Sequence, residues 1–334
     1  MKRRSRIVLV AVTALCVLAL AVVCMVAWFR PALPPLPNPN AYDDFAQAGK
    51  VLVSAEALED YPAADENELR LAISTNTETF RLLRLGLTRE YGFPMDRFQH
   101  DVGAVLEMLS SYKRLAQLLA ADGRLAELEG RTNDAVASYV DAIKFGNEIS
   151  RGGPLINCLV GIACEGIGCS SLAKLVPQLT PEQSRRVIAA CQEIDAQQVS
   201  WDEVWRNERA FMWRQSRNPL LLIATAAPMR PAKVRAEERI RRIKATVRLL
   251  AAELSIRCYQ QEKGHPPARL DELVPKFLKA VPQDPFTGKP LIYRPQETDW
   301  LLYSVGPDRV DNGGLHRVGK GTSPPGTDLF YDQP

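Results

Sequence analysis

The stretch IRRIKATVRLLAAELSIRCYQQEKG, residues 240–264, joins two different kinds of sequence in this chain. Its apolar residues recur every three or four positions: Ile240, Ile243, Val247, Leu250, Leu254 and Cys258. This spacing puts them on one face of an α-helix, so we predict an amphipathic helix over 234–262. The helix stops at Gly264 because Pro266 and Pro267 follow it and cannot continue a helical hydrogen-bond ladder.

The sequence before this helix, from residue 41 to residue 232, is typical of an all-helical domain. Turn-forming residues divide it into seven predicted helices: 41–58, 65–88, 98–121, 124–149, 154–176, 181–197 and 199–216. The start at residue 181 is the best marked, because Thr180 can cap the free amides and Gln183 can complete a capping box. Pro181 fits the first helical turn, where no amide hydrogen bond is lost.

Residues 116–149 resemble one tetratricopeptide-like helix hairpin. Gly123 and Gly130 stand at places that suit such a unit, and Ala135, Tyr139 and Ala142 follow a small-large-small pattern on the second helix. Such repeats need about three copies to bury a shared core. Since one unit is visible, we predict a helix hairpin and not a peptide-binding groove.

The segment 154–176, PLINCLVGIACEGIGCSSLAKLV, is apolar enough to suggest a membrane span. Glu165 and Lys174 would make insertion into lipid costly, however. We therefore predict a buried core helix whose small residues permit close packing: Gly161, Gly166 and Gly168.

At the N-terminus, residues 7–29 form an uninterrupted apolar run, about 34 Å long as a helix and sufficient to cross a bilayer. The run ends in Trp28 and Phe29, whereas a cleaved signal peptide ends in small residues. We therefore predict that residues 1–30 are a retained signal anchor. Lipidation is disfavoured because neither Cys16 nor Cys24 follows a small residue.

The charges around this run predict its orientation. The basic residues before it, Lys2, Arg3, Arg4 and Arg6, hold the N-terminus in the cytoplasm. We expect a single-pass protein of the inner, cytoplasmic membrane with its bulk periplasmic or otherwise extracytoplasmic. Residues 31–40, PALPPLPNPN, then predict a stiff proline-rich stalk.

The composition of the 334 residues, 46% hydrophobic and 24% charged, excludes a disordered or collagen-like chain. Five of the 42 basic residues lie within residues 1–30, so the rest of the chain has 37 basic and 39 acidic residues. This near-neutral balance predicts no nucleic-acid partner.

After residue 264 the pattern changes to short elements. We predict a short helix over 268–279, a turn at 284–290, strands over 291–294 and 299–304, and a last strand over 328–331. With the preceding long helix, these elements make residues 233–334 a small α+β module with a short antiparallel sheet. The fold class of the whole chain is thus mainly α.

The C-terminal module resembles the globular domain of the type II secretion major pseudopilin, protein G, over residues 245–332. The matching residues are Tyr259, Gly264, Pro266, Leu270, Leu273, Val274, Lys276, Leu278, Pro282, Asp284, Pro285, Gly288, Pro290, Tyr293, Tyr303, Ser304, Gly306, Asp308 and Asp328. The N-terminus lacks the glycine and the acidic residue of a pseudopilin processing site. The sequence therefore favours a pseudopilin-like module attached to an anchored helical domain over a genuine pseudopilin subunit.

The resemblance implies a calcium ion in the terminal loop, with Ser304, Asp308, Asp311 and Asp328 as its side-chain ligands. Calcium takes six to eight oxygen ligands, so backbone carbonyls would complete the set. The alternative is that Asp, Asn and Gly serve here as ordinary turn residues. His316 is not expected to be a ligand, because calcium prefers oxygen donors.

Motifs for catalysis are missing from the sequence: it has no nucleophile elbow, phosphate-binding loop or zinc-protease motif. His100 and His265 fit surface or turn positions. The cysteines outside the anchor are predicted to be buried thiols, with one or two disulfides as the alternative: Cys158, Cys164, Cys169, Cys191 and Cys258. The aromatic residues after position 200 predict helix core, or else a surface for a protein partner: Trp201, Trp205, Phe211 and Trp213.

These features predict a noncatalytic envelope protein that holds a helical interaction domain and a pseudopilin-like module outside the membrane. Protein partners are expected, and the resemblance implies an association with a type II secretion or pilus-like system. The alternative from another class is an envelope enzyme with a carboxylate site in the helical domain, built from Glu165, Asp195, Asp202 and Glu203.

Overall fold

The computed structural model of the chain describes residues 2–29, 33–98, 101–216, 230–297, 299–315 and 326–332. These residues form helices and one two-stranded sheet, which confirms the mainly α class with a short antiparallel sheet. The α-helices are α1 (Lys2–Phe29), α2 (Ala41–Val51), α3 (Glu56–Glu59), α4 (Glu66–Ser74), α5 (Thr77–Gly86), α6 (Val102–Leu128), α7 (Thr132–Ile149), α8 (Leu155–Leu175), α9 (Pro181–Gln197), α10 (Trp201–Ser216) and α11 (Arg230–Lys263). The strands are β1 (Ile292–Pro295) and β2 (Trp300–Tyr303).

The first two predicted helices, 41–58 and 65–88, are each divided into two. Asn76 causes both breaks, since it ends up buried at the junction between α4 and α5. Its amide nitrogen donates to the Val53 carbonyl at 2.9 Å, and its amide oxygen accepts from the Val53 amide at 2.9 Å. This pairing satisfies the backbone amide and carbonyl of Val53, in the extended segment that separates α2 from α3.

The α6–α7 hairpin forms as predicted, but its first helix continues past Gly123. A Cβ atom at Gly123 would lie 2.4 Å from a ring carbon of Tyr139, so this glycine admits an aromatic ring and does not end the helix. The turn is instead at Gly130, within the helix predicted over 124–149, and its φ of +72° suits glycine. The predicted capping box at Thr180 and Gln183 is present at the start of α9.

Two large clusters of buried side chains make the core. One packs α2, α5, α6 and α7 around Phe45, whose ring meets that of Phe145 edge-on at 4.8 Å between centroids. The other packs α8, α9 and α11 against the C-terminal module, where Leu254, Leu273 and Leu302 are all buried. Helix α11 therefore shares one core with the helical domain and with the C-terminal module.

Helix α8 is the buried core helix that the sequence predicts. With its short extension it is the one helix of the described chain, Leu155–Gln178, that is long and apolar enough to cross a membrane. Half of its apolar window is nonetheless buried within the protein. It lies so close to α7 that a Cβ atom at Gly146 would be 2.6 Å from the Gly161 carbonyl oxygen. Such an approach requires glycine on both helices.

Helix α1 covers the whole predicted span and includes the apolar stretch Val12–Cys24. Beyond it, residues 33–40 do not stand clear of the helical domain but run along the loop at 90–94. The Asn40 side chain donates to the Gly92 carbonyl at 2.8 Å and accepts from the Gly92 amide at 2.9 Å. The Ala41 amide donates to the Glu90 carbonyl at 3.0 Å.

In the C-terminal module β1 and β2 pair antiparallel, with Ile292 opposite Tyr303. The predicted strand over 328–331 is reduced to a single bridge between Leu329 and Ser304. The predicted helix over 268–279 is reduced to a 3₁₀ turn at Leu270–Leu273, because Pro275 has no amide hydrogen to extend a helix.

Candidate functional site

The predicted calcium ligands lie where the terminal loop returns to the end of β2. Ser304 is fully buried, and its hydroxyl accepts a hydrogen bond from the Gly306 amide at 3.3 Å. Asp328 is 1% exposed and accepts from the amides of Gly314 at 2.8 Å and Leu315 at 3.0 Å. Burial raises the pKa of the Asp328 carboxyl. Asp328 therefore fixes the loop through its backbone amides.

The two other predicted ligands also have protein partners. Asp311 accepts from the Tyr303 hydroxyl at 2.6 Å and pairs with Arg294 at 2.7 Å. The Tyr303 hydrogen bond is the main cause that lowers the pKa of Asp311. Asp308 accepts from the Val310 amide at 3.1 Å. These contacts are those of a hydrogen-bonded turn.

The four residues do not form a ready-made calcium cage in this arrangement. A metal ligand must direct its oxygen lone pairs at the cation, whereas the Asp311 and Asp328 oxygens accept N–H or O–H bonds from the protein. Within the described ranges, no group of three or more His, Cys, Asp or Glu side chains could hold a metal ion. Calcium binding stays a prediction. His316 lies outside the described residues.

A further carboxylate, that of Asp284, forms hydrogen bonds close to Ser304 in the C-terminal module. Asp284 is 1% exposed and accepts from the Phe286 amide at 2.8 Å and from the Val305 amide at 2.9 Å. It thereby ties the turn at 284–290 to the residue after Ser304. The resemblance marked Asp284 as a matching position, but the sequence alone did not assign it this contact.

The four carboxylates of the alternative enzyme site are dispersed. Glu165 is buried beside the α7–α8 crossing. Asp195 pairs with Arg248 at 2.8 Å, facing the C-terminal module. Asp202 is exposed, and Glu203 lines a different cleft from the other two. Their positions give no convergent acid and base pair.

Glu165 is nevertheless chemically distinct from the other three. It is 2% exposed, and its Oε2 accepts a hydrogen bond from the Gln198 amide nitrogen at 3.1 Å. Burial raises the pKa of this carboxyl to about 8. Glu165 lines a small cavity, which Asn147 also lines; Asn147 is 2% exposed. Sequence patterns gave no signal for Asn147 or Gln198, because both lie near helix ends far from residue 165 in the chain.

A cleft of about 570 Å³ lies between the proline-rich residues 33–37, the loop at 90–97 and α10. Several of its charged side chains are engaged with acidic partners. Arg97 pairs with Asp43 at 2.7 Å, and Arg214 pairs with Asp96 at 2.7 Å. These pairs tie the walls of the cleft to the helical domain.

The remaining candidate residues have structural surroundings. All seven cysteines are free thiols, and the five outside α1 are buried, as the leading prediction had it. Trp201 and Trp205 stack at 6.2 Å, with the Lys233 ammonium 5.0 Å from the Trp205 ring. His265 contacts the carbonyl of Pro266, while His100 lies outside the described residues.

Comparison of this chain with protein-family models, with curated proteins and with solved structures found no match.

Proposed function

We propose that the protein is a noncatalytic envelope protein, anchored by α1 in the inner membrane with its N-terminus in the cytoplasm. One observation supports this proposal above the others. Leu15, Val17 and Leu18 are 68%, 67% and 62% exposed. They project in different directions, because successive helical residues are about 100° apart. A helix with apolar residues exposed all round suits a hydrocarbon surrounding better than a single protein partner.

The rest of the chain then lies outside the membrane as one helical body that carries the C-terminal module. Interaction partners are proteins in this proposal, and an association with a type II secretion or pilus-like system rests on the sequence resemblance alone. No observation favours the enzyme alternative, since its carboxylates are apart.

The anchor is tested by extracting membranes of producing cells with alkaline carbonate. The wild-type chain is expected to stay in the membrane fraction. Leu15→Arg with Leu18→Arg is expected to release it, because each arginine costs about 2.5–3.5 kcal/mol at the centre of a span. Leu71→Arg is the matched control, since Leu71 is 67% exposed but belongs to α4. Release of the wild-type chain, or retention of the double variant, would refute the anchor.

The orientation is tested separately by adding protease to intact cells and to spheroplasts. Digestion of the helical body only after the outer barrier is opened supports a periplasmic body. Digestion only after the inner membrane is lysed would place the body in the cytoplasm and refute the proposed orientation.

Calcium binding by the terminal loop remains part of the proposal on the strength of the resemblance. Calorimetric titration of the full chain in detergent is expected to give saturable binding that is lost in Asp308→Ala. Asp271→Ala is the control, since Asp271 is an exposed aspartate of the 3₁₀ turn at Leu270–Leu273 and not a residue of the loop. Absence of heat in the wild-type chain would remove calcium from the proposal.

A further inference from the structure

Glu165 lines a small cavity of about 10 Å³, which is close to the space that one water molecule requires. The cavity lies between α7, α8, the residues after α9, and α11. Its polar lining consists of Asn147, Ser150, Glu165 and Gln198. The rest of the lining is the apolar surface of residues such as Ile162 and Ile243.

Hydrogen bonds in the described residues leave two acceptors at this cavity without a donor. They are the side-chain amide oxygens of Asn147 and Gln198, both buried. The Ser150 hydroxyl does not serve either of them, because it donates to the Gly146 carbonyl at 2.8 Å. A buried polar atom without a partner costs about 1–3 kcal/mol, so a missing donor is expected here.

Charged groups on the packed elements do not supply that donor. Each has another partner: Lys144 with Glu193, Glu148 with Arg151, and Lys244 and Arg248 with Asp195. Glu165 interacts electrostatically with the buried thiols of Cys158, Cys164 and Cys169 and helps to raise their pKa values. The charge of Lys113, in α6, acts to lower the pKa of Cys164. The charge of Glu203, in α10, acts to raise the pKa of Cys158.

We propose that the cavity binds one ordered water molecule and that Glu165 faces it as a neutral carboxylic acid. The Glu165 O–H donates to the water oxygen, and the two water hydrogens go to Asn147 Oδ1 and Gln198 Oε1. The Gln198 amide nitrogen still donates to Glu165 Oε2, as in the structure. Both orphaned acceptors then have a donor, and the site binds one proton together with the water.

A metal cation suits the cavity less well. Glu165 is the one carboxylate that lines it among the described residues, and the space admits a single small particle. Calcium needs six to eight oxygens, and magnesium keeps several of its waters, so neither ion fits without enlarging the cavity.

The proton is tested by infrared spectroscopy on the full chain in detergent at pH 7. The carbonyl stretch of a protonated carboxylic acid is expected in the wild-type spectrum and should be lost in Glu165→Gln. Glu203→Gln, a carboxylate of the same domain at the surface of a cleft, is the control and should keep the band. An unchanged band in Glu165→Gln would overturn the neutral acid.

The water is tested by high-resolution diffraction from the wild-type chain, which does not depend on a variant that folds. Density for one water within hydrogen-bonding distance of all three oxygens supports the proposal. An empty cavity, or a metal identified there by anomalous scattering, would overturn it.

Discussion

Replacement of Glu165 by glutamine should remove the pH dependence of stability that this one carboxyl contributes. The folded pKa of Glu165 is raised to about 8 from an ordinary value of 4.5. The folded state therefore holds a proton that the unfolded state has lost between these two values. The stabilising contribution of this proton is complete below pH 4.5 and is lost as the pH rises to about 8.

The size of the effect follows from the same shift. Each pH unit between the two pKa values costs about 1.4 kcal/mol of unfolding free energy. From pH 5.5 to pH 7.5 the Glu165 contribution thus falls by about 2.7 kcal/mol. Glutamine has nearly the same shape and no proton to lose, so the stability of Glu165→Gln relative to wild type should rise by that amount.

The assay is urea unfolding of the full chain in detergent at half-unit pH intervals, with Glu203→Gln measured in parallel. The difference between Glu165→Gln and wild type should grow steadily up to about pH 8 and then level off. Glu203→Gln should run parallel to wild type. A difference between Glu165→Gln and wild type that stays constant across this range would show that Glu165 is ionised in the folded protein.

Three further predictions concern packing. Gly161→Ala should lower stability by about 1–3 kcal/mol, because its Cβ would lie 2.5 Å from a carbonyl oxygen of α7. Gly166→Ala, on the same helix but with nothing within 4 Å of its Cβ, should raise stability by about 0.5–1 kcal/mol in the same urea assay; equal effects would refute the close α7–α8 contact. Phe45→Ala should cost about 3–5 kcal/mol, and a loss below about 1 kcal/mol would mean that its ring is not buried. The five buried thiols should react with a maleimide only after unfolding, since burial raises their pKa; labelling of the native chain beyond Cys16 and Cys24 would contradict their burial.

Sequence patterns a few residues long predicted those helices and strands whose ends are set by neighbouring residues in the chain. The capping box at Thr180 is confirmed because it does not need a distant partner. The strand pairing near 292–303 is likewise confirmed within one or two residues. These features follow from residue types a few positions apart.

The failures came from contacts between residues distant in sequence. Gly123 looked like a helix end, but it makes room for the Tyr139 ring. Asn76 interrupts two predicted helices because it pairs with the Val53 backbone 23 positions earlier. Periodicity could not anticipate either contact, because each is selected by the packed fold.

In the candidate sites too, the sequence indicated individual residues but not their contacts with residues distant in the chain. The resemblance implied that Ser304 and Asp328 belong to one site. In the structure Leu329, the residue after Asp328, bridges Ser304, and the hydrogen bonds that engage Asp328 are contacts with loop backbone atoms. For Glu165 the sequence showed an acid within an apolar helix. The two amide side chains that line its cavity, Asn147 of α7 and Gln198 just after α9, were not predicted.

In the proposed membrane-anchored state, the packing of Leu33 against the helical core limits how far the body can lie from the membrane. Only four residue steps separate Phe29, the last residue of α1, from Leu33, which already packs against the helical core. A chain of that length spans at most about 14 Å. An anchored protein of this design has a short reach and little freedom to swing. The side of the body that holds Leu33 would therefore stay close to the bilayer surface.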